Sequence, residues 1–273
     1  MKKARRKFLS TAGITAIGLG VMPVVSFAAS DSEKQANALK TKNKQALVAH
    51  RWGMVIDVNK ITKEIAYNII QACHNAHNVP DFDNEVDKEK YPDIRPVNHK
   101  QEVKWIWEEE FHYAFPDKED EFLAQKFHDL GFLVTCNHCK NAPCVQACPT
   151  QATFKRKDGI VIMDYHRCIG CRFCMAACPF GARSFNFRDP RPFIAKVDPD
   201  FPTRSKGVVE KCNFCAERLA KGEQPHCVEA SQEAIVVGDL EDPESKIRTL
   251  LNDHYTIRRK QTLGTQPSVY YIM

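Results

Sequence analysis

Residues 136–149 read CNHCKNAPCVQACP, and residues 168–179 read CIGCRFCMAACP. Eight of the chain's twelve cysteines lie in these two runs, spaced as Cys136-x2-Cys139-x4-Cys144-x3-Cys148-Pro149 and Cys168-x2-Cys171-x2-Cys174-x3-Cys178-Pro179. Three thiolates on one short loop can wrap three corners of an iron–sulfur cube. The fourth corner faces away and has to be met from elsewhere, while the proline turns the chain off the cluster. Zinc favours pairs of C-x2-C knuckles separated by a gap, which four cysteines within eleven residues fit poorly. Cysteines two apart rarely bridge one another well, which counts against disulfides. Covalent haem needs C-x-x-C-H, and Lys140, Arg172 and Ala216 follow Cys139, Cys171 and Cys215 instead. The reading is iron–sulfur ligation.

Outward from this block the chain is neutral. The five basic residues of the first 28 (Lys2, Lys3, Arg5, Arg6, Lys7) account for the whole formal charge of +5. A neutral body gives no electrostatic case for nucleic acid as a partner. Residues 1–28 read as an export signal, with an apolar stretch from Thr11 to Val25 and a small-x-small site ending at Ala28. Arg5-Arg6-Lys7-Phe8-Leu9 resembles a twin-arginine signal, a route that exports proteins already folded. The expected location is therefore periplasmic, with residues 29–50 as a linker.

Gly53–Asp57 has a strand pattern, and Ile61, Ile65, Ile69 and Cys73 recur every four residues as the apolar face of a helix. Residues 79–131 carry Trp105, Trp107, Phe111, Tyr113 and Phe115 but no cysteine, and read as an insertion packing over the core. Ala152–Lys155 and Ile160–Met163 flank Asp158-Gly159 as a hairpin. The tail from Asp239 is polar and closes on Val269–Ile272, which suits an edge strand. The sequence shows no P-loop, dinucleotide glycine fingerprint or nucleophile elbow.

The second run has the spacing of bacterial ferredoxins, in which each run's fourth cysteine ligates the other run's cluster. Together with Cys212-x2-Cys215-x11-Cys227-x3-Ser231 it resembles the double-ferredoxin, four-cluster electron-transfer subunits of respiratory oxidoreductases, such as dimethyl sulfoxide, polysulfide and nitrate-type reductases. Arg51–Asp57, Asn78-Val79-Pro80 and Leu263-Gly264-Thr265 also resemble that family. The resemblance implies an α+β fold of two ferredoxin-like modules with inserted loops: residues 132–207 as a two-cluster module, residues 51–78 with 208–238 as a one-cluster module, and 239–273 as a C-terminal tail.

The departures from the family pattern are informative. Its first motif should carry four cysteines, and only Cys73 is present; the other positions fall on Lys63, Ala66 and Ile69, or on Ile61, Glu64 and Tyr67. The last motif lacks its fourth cysteine, where Ser231 stands. Under the family's crossed ligation these four losses all belong to one cluster. The ligand sets so implied are Cys136, Cys139, Cys144 and Cys178; Cys168, Cys171, Cys174 and Cys148; and Cys212, Cys215, Cys227 and Cys73. Three [4Fe-4S] clusters then use every cysteine. An oxygen ligand from Ser231 would have no companions, and the Ile61/Ile65/Ile69 face is expected to fill the vacated volume. His138, His166, His226, Lys140, Arg167 and Arg172 read as positive neighbours of the clusters rather than ligands, and His74 and His77 as neighbours or solvent-facing groups.

Such a chain moves electrons and has no catalytic residues of its own. Its own export signal combined with a reduced first motif looks most like the periplasmic iron–sulfur subunits of the membrane complexes of dissimilatory sulfur metabolism. Their expected partners are a multi-spanning quinone-interacting membrane subunit and a multihaem cytochrome c. An alternative within the family is a subunit linking the quinone pool to a periplasmic nitrite or molybdopterin enzyme.

Overall fold

The computed structural model describes residues 45–86, 89–92, 98–120, 122, 125–128 and 130–273. The expected export signal and most of the linker lie outside the described residues. From Ala46 onward the chain forms one compact unit. It mixes helices with small sheets, as the α+β expectation required.

The largest sheet has four strands in the order β8-β1-β10-β9, with β1 Trp52–Asp57, β8 Ile235–Asp239, β9 Thr256–Ile257 and β10 Val269–Ile272. Strand β1 runs antiparallel to β8 (Met54 opposite Val237) and parallel to β10 (Met54 opposite Val269). Alternation along β1 sorts its side chains between two cores. Trp52, Met54 and Ile56 join the main core with α1 (Lys63–Ala76), while Val55 packs with Leu240, Ile247 and Ile272 under α6 (Lys246–Asp253). Gly53 shares the second face, where a Cβ would collide with the Leu240 side chain.

Helix α1 begins at Thr62, whose hydroxyl caps the Ile65 amide at 3.2 Å. Its buried stripe is Ala66, Ile69 and Cys73, not the four-residue repeat from Ile61. A turn takes 3.6 residues, so an i, i+4 series drifts around the helix. Ile65 is accordingly only partly buried, and Ile61 precedes the helix altogether.

Residues 79–131, expected to cover the core, supply part of it. Strand β2 (Ile106–Glu109) pairs antiparallel with β3 (Phe132–Thr135), and Trp105, Phe111 and Phe115 are buried in the same cluster as β1 and α1. Trp105 is a packing residue, as expected, and its indole N–H donates to Glu210 Oε2 at 2.9 Å. The hairpin forms as β4 (Thr153–Lys155) against β5 (Val161–Met163). A further short ladder joins β6 (Ser184–Phe185) to β7 (Val209–Glu210).

The closing strand corrects the sequence expectation. Strand β10 is interior to the sheet, because β9 pairs with its outer side at Tyr271 and Ile272. Tyr271 is fully buried and its hydroxyl donates to the Leu133 carbonyl at 3.1 Å. A two-residue partner strand leaves too faint a pattern in sequence to announce that protection. No described helix is long and apolar enough to cross a membrane.

Candidate iron–sulfur centres

Each cysteine loop is shaped by residues in the left-handed backbone region, which non-glycine residues adopt sparingly and which concentrates at functional sites. His138 (φ 41°) turns the chain between Cys136 and Cys139, and Gly170 (φ 69°) and Arg172 (φ 63°) turn it around Cys171. Phe214 (φ 64°) and Cys215 itself (φ 47°) do the same after Cys212, where the chain enters α4 (Ala216–Lys221). Short helices then present one thiol inward: Cys144 on α2 (Pro143–Gln146), Cys174 on α3 (Phe173–Ala176) and Cys227 on α5 (His226–Glu229). Pro143 occupies the first helical position, where a missing N–H costs nothing.

The twelve thiols gather in three cavities. Cys136, Cys139, Cys144 and Cys178 line one. Cys148, Cys168, Cys171 and Cys174 line another. Cys73, brought in by α1, lines the third with Cys212, Cys215 and Cys227. All twelve are free.

The spacing of these thiols separates a cluster from a single ion. Four thiolates about 2.3 Å from one zinc would lie about 3.8 Å from each other. Among the described residues no three cysteine sulfurs come within 4.8 Å of one another. The quartets therefore enclose too much space for one tetrahedral ion and suit a larger inorganic core. One mixed trio, His77, Cys215 and Glu217, does meet that limit. Its imidazole is already engaged, with Nε2 3.0 Å from Glu217 Oε1 and Nδ1 2.7 Å from the Cys73 carbonyl.

Electrostatics say the same. Burial first, and then mutual repulsion with Cys212, Cys215 and Cys227, pushes the Cys73 thiol well above its ordinary pKa. Burial and the neighbouring thiols likewise push Cys227 and Cys139 up to about 12. Four such thiolates can coexist only around a cationic core. Cys136 is the exception. Burial would raise it, but Lys211, His138 and Arg183 together hold it well below the usual thiol range.

The expected neighbours divide. His138 is buried, and its Nδ1 accepts the Val161 amide at 3.1 Å. Arg172 lines the Cys168 cavity and lies over Phe185 and Phe187 at 5.3 and 5.5 Å. His77 is buried, with ring nitrogens 3.8 Å from Cys73 Sγ and 3.7 Å from Cys215 Sγ. His74 is half-buried, with its Nε2 enclosed, and desolvation brings it down to about 4. By contrast, His166 and Arg167 sit at the surface around Asp164, Lys140 is exposed, and His226 faces Arg218 rather than a cavity. Ser231 is buried with its hydroxyl used twice, donating to the Val228 carbonyl and accepting the Ile235 amide. It closes a turn and lines none of the three cavities. Ala66 and Ile69, at vanished ligand positions, pack in the main core.

Sequence reasoning passed over Arg183 and Lys211, which are 5% and 1% exposed. Lys211 immediately precedes Cys212, so its neighbourhood was legible, but its inward direction was not.

The comparisons agree with this chemistry. A family model described as a 4Fe-4S dicluster domain matches residues 130–190. The Hdr-like menaquinol oxidoreductase iron-sulfur subunit 1 of Archaeoglobus fulgidus is 36% identical, over 98% of this chain and 97% of its own length. The B subunit of the polysulfide reductase of Wolinella succinogenes is 41% identical over 82% of this chain and 95% of its own. The menaquinone reductase iron-sulfur cluster-binding subunit of Nitratidesulfovibrio vulgaris is 34% identical over 81% and 88%. With three cysteine-lined cavities and relatives matched along nearly their whole length, the chain belongs to the family of 4Fe-4S iron–sulfur subunits of menaquinol and polysulfide oxidoreductases.

Proposed function

We propose that this chain is an exported electron-transfer subunit holding three [4Fe-4S] clusters on the quartets Cys136/Cys139/Cys144/Cys178, Cys148/Cys168/Cys171/Cys174 and Cys73/Cys212/Cys215/Cys227. The observation that carries it is the third cavity. Cys73 shares it with three cysteines from the far end of the chain, and no cysteine is then left over.

Such clusters supply one-electron transfer with little change of geometry, so the protein's part is to hold, insulate and tune them. The loops do the holding. Cys171 is the one exposed cysteine, with Ile169 and Phe173 also exposed beside it, so this loop is the surface end of the path. Iron and acid-labile sulfide analysis tests the reading directly. About twelve irons per chain are expected from three four-iron clusters; none, or two, would end it.

The finer assignment is to the DsrO-like subunits of dissimilatory sulfur metabolism, working in the periplasm. Supporting it are the Arg5-Arg6 signal pattern and the single cysteine of the first motif. The partners are then a multi-spanning quinone-interacting subunit of the NrfD/DsrP type and a multihaem cytochrome c of the DsrJ type. Affinity purification from membranes should bring down haem c with the iron–sulfur chain. Recovery of a molybdopterin or nitrite-reducing enzyme in its place would favour the NrfC-like alternative. Replacing Arg5 and Arg6 by Lys should leave the precursor in the cytoplasm, and unchanged export would refute the twin-arginine route.

A further inference from the structure

We propose that Arg183 and Lys211 are the buried counter-charges of the two cluster junctions, and that they make the middle cluster, on Cys136, Cys139, Cys144 and Cys178, the first of the three to be reduced. This rests on the three-cluster reading and adds an order of potentials to it.

Arg183 stands between the middle quartet and that of Cys168. It lines the middle cavity. Its Nη1 donates to Thr153 Oγ1 at 3.0 Å, and the Thr153 amide in turn points at Cys148 Sγ, 3.5 Å away. Its principal electrostatic neighbours are thiols from both quartets, Cys144 and Cys174. Nη2 is buried without any hydrogen-bond partner.

Lys211 holds the corresponding place at the other junction. Its ammonium donates to the carbonyl of Val161, which lines the middle cavity, and to that of Cys212, in the third quartet, at 2.7 Å. His138 reinforces it. Because Nδ1 accepts the Val161 amide, the ring proton sits on Nε2, which has no oxygen or nitrogen partner and faces Cys136 and Cys212.

A buried cation is costly unless something negative answers it. Arg204 has Glu210 at 2.6 Å, both wholly buried. Among the described residues no such carboxylate pairs with Arg183 or Lys211, whose contacts are carbonyls, a hydroxyl and sulfur. Their counter-charge is the thiolate-ligated clusters, which become more negative on reduction.

The three sites therefore differ in charge environment. The middle quartet faces both buried cations. The Cys168 quartet faces one, together with solvent at Cys171. The Cys73 quartet faces Lys211 but also Glu217, whose carboxylate acts on Cys73 and Cys215. At an effective dielectric near 20 a charge acts about four times as strongly as in water, so buried cations outweigh the exposed Arg172. The middle cluster is filled first and emptied last, and the Cys73 cluster is the hardest to reduce.

Potentiometric titration of the holoprotein, followed by EPR, tests this. The signal with the highest midpoint should be the one that Cys139→Ser alters. Arg183→Gln should lower the midpoints of the middle and Cys168 clusters and leave the Cys73 cluster unmoved. Lys211→Met should lower the middle and Cys73 midpoints and leave the Cys168 cluster unmoved, and Lys211→Arg should restore them. Each shift should reach a tenfold change in the reduction equilibrium, about 59 mV for one electron. Should either neutral variant lose iron, Glu217→Gln remains as an independent arm and should raise only the Cys73 midpoint. Full iron content with unmoved midpoints, or a highest-midpoint signal indifferent to Cys139→Ser, overturns the proposal. Fewer than about twelve irons in the unaltered protein overturns the three-cluster reading itself.

Discussion

Cys73→Ala separates a shared cluster from a merely adjacent thiol. Cys73 is 5% exposed near the end of α1 and lines the same cavity as Cys212, Cys215 and Cys227. If the four hold one cluster, it ties together positions roughly 140 residues apart. In a chain-entropy description a cross-link closing a loop of about 100–140 residues is worth about 4–5 kcal/mol, the shorter figure applying because the other two clusters already draw the intervening chain together. Against a typical total of about 5–15 kcal/mol that loss is large. The β8-β1-β10 sheet still joins the two ends of the chain, so the variant should remain folded but unfold earlier in denaturant. Iron should fall from about twelve to about eight per chain, with one EPR signal lost and two retained. Three intact signals, or an unfolding midpoint equal to that of the unaltered protein, would refute the shared ligation.

Gly170→Ala should remove the Cys168 cluster selectively, because its φ of +69° disfavours a side chain and a Cβ would strike the Gly207 carbonyl; iron content and EPR read the outcome, and an intact cluster would count against the tight-loop argument. Glu210→Gln leaves Arg204 buried beside a neutral partner and should cost about 3–5 kcal/mol in chemical denaturation; a change under about 1 kcal/mol would mean the network relaxes. Asp239 accepts the amides of His50, Arg51 and Glu241 as well as the His50 ring, and these bonds overcome its burial to bring the carboxyl down to about 2. A depressed carboxylate stabilises the fold above its unfolded value near 3.9 and loses that contribution as pH falls through about 2. Asp239→Asn should therefore cost about 1–2 kcal/mol at pH 6, after allowance for solvent screening, and less at pH 3; a gap that does not narrow would exclude the carboxylate as its source.

On the proposed order of potentials, the buried cations would give the path a preference independent of any partner: an electron delivered from either end would settle at the middle site, and transfer onward would be uphill in both directions. A partner bound at the exposed Cys171 loop would act on the cluster nearest solvent, where its own charges would shift the potential. The third cavity, enclosed by Ile106, Phe214 and His77, all buried, keeps the environment that the fold gives it.

Local chemistry made the cofactor legible. Thiolate spacing within a loop is set by the size of what the loop must wrap, so Cys136–Cys178 announced iron–sulfur ligation without any knowledge of the fold. Hydrophobic period likewise announced β1, α1 and the β4–β5 hairpin, whose partners are close in sequence or whose pattern is strong. The helix stripe was displaced because a repeat of four was taken for a turn of 3.6 residues, and β10 was misplaced because its covering strand is only two residues long.

The family resemblance implied which thiols share a ligand set; tertiary structure alone decided how they are brought together and what charge surrounds them. The local sequence around Cys73 does not say that it faces Cys212, since that meeting depends on β1 pairing with β8 and on α1 packing against α5, which carries Cys227. The inward aim of Arg183 and Lys211 was equally silent, because a basic residue beside a cysteine reads the same whether it points to solvent or to sulfur. Spacing along the chain is a one-dimensional constraint and carries ligand type; direction and distance between remote segments arise only when the core closes, and they set the potential.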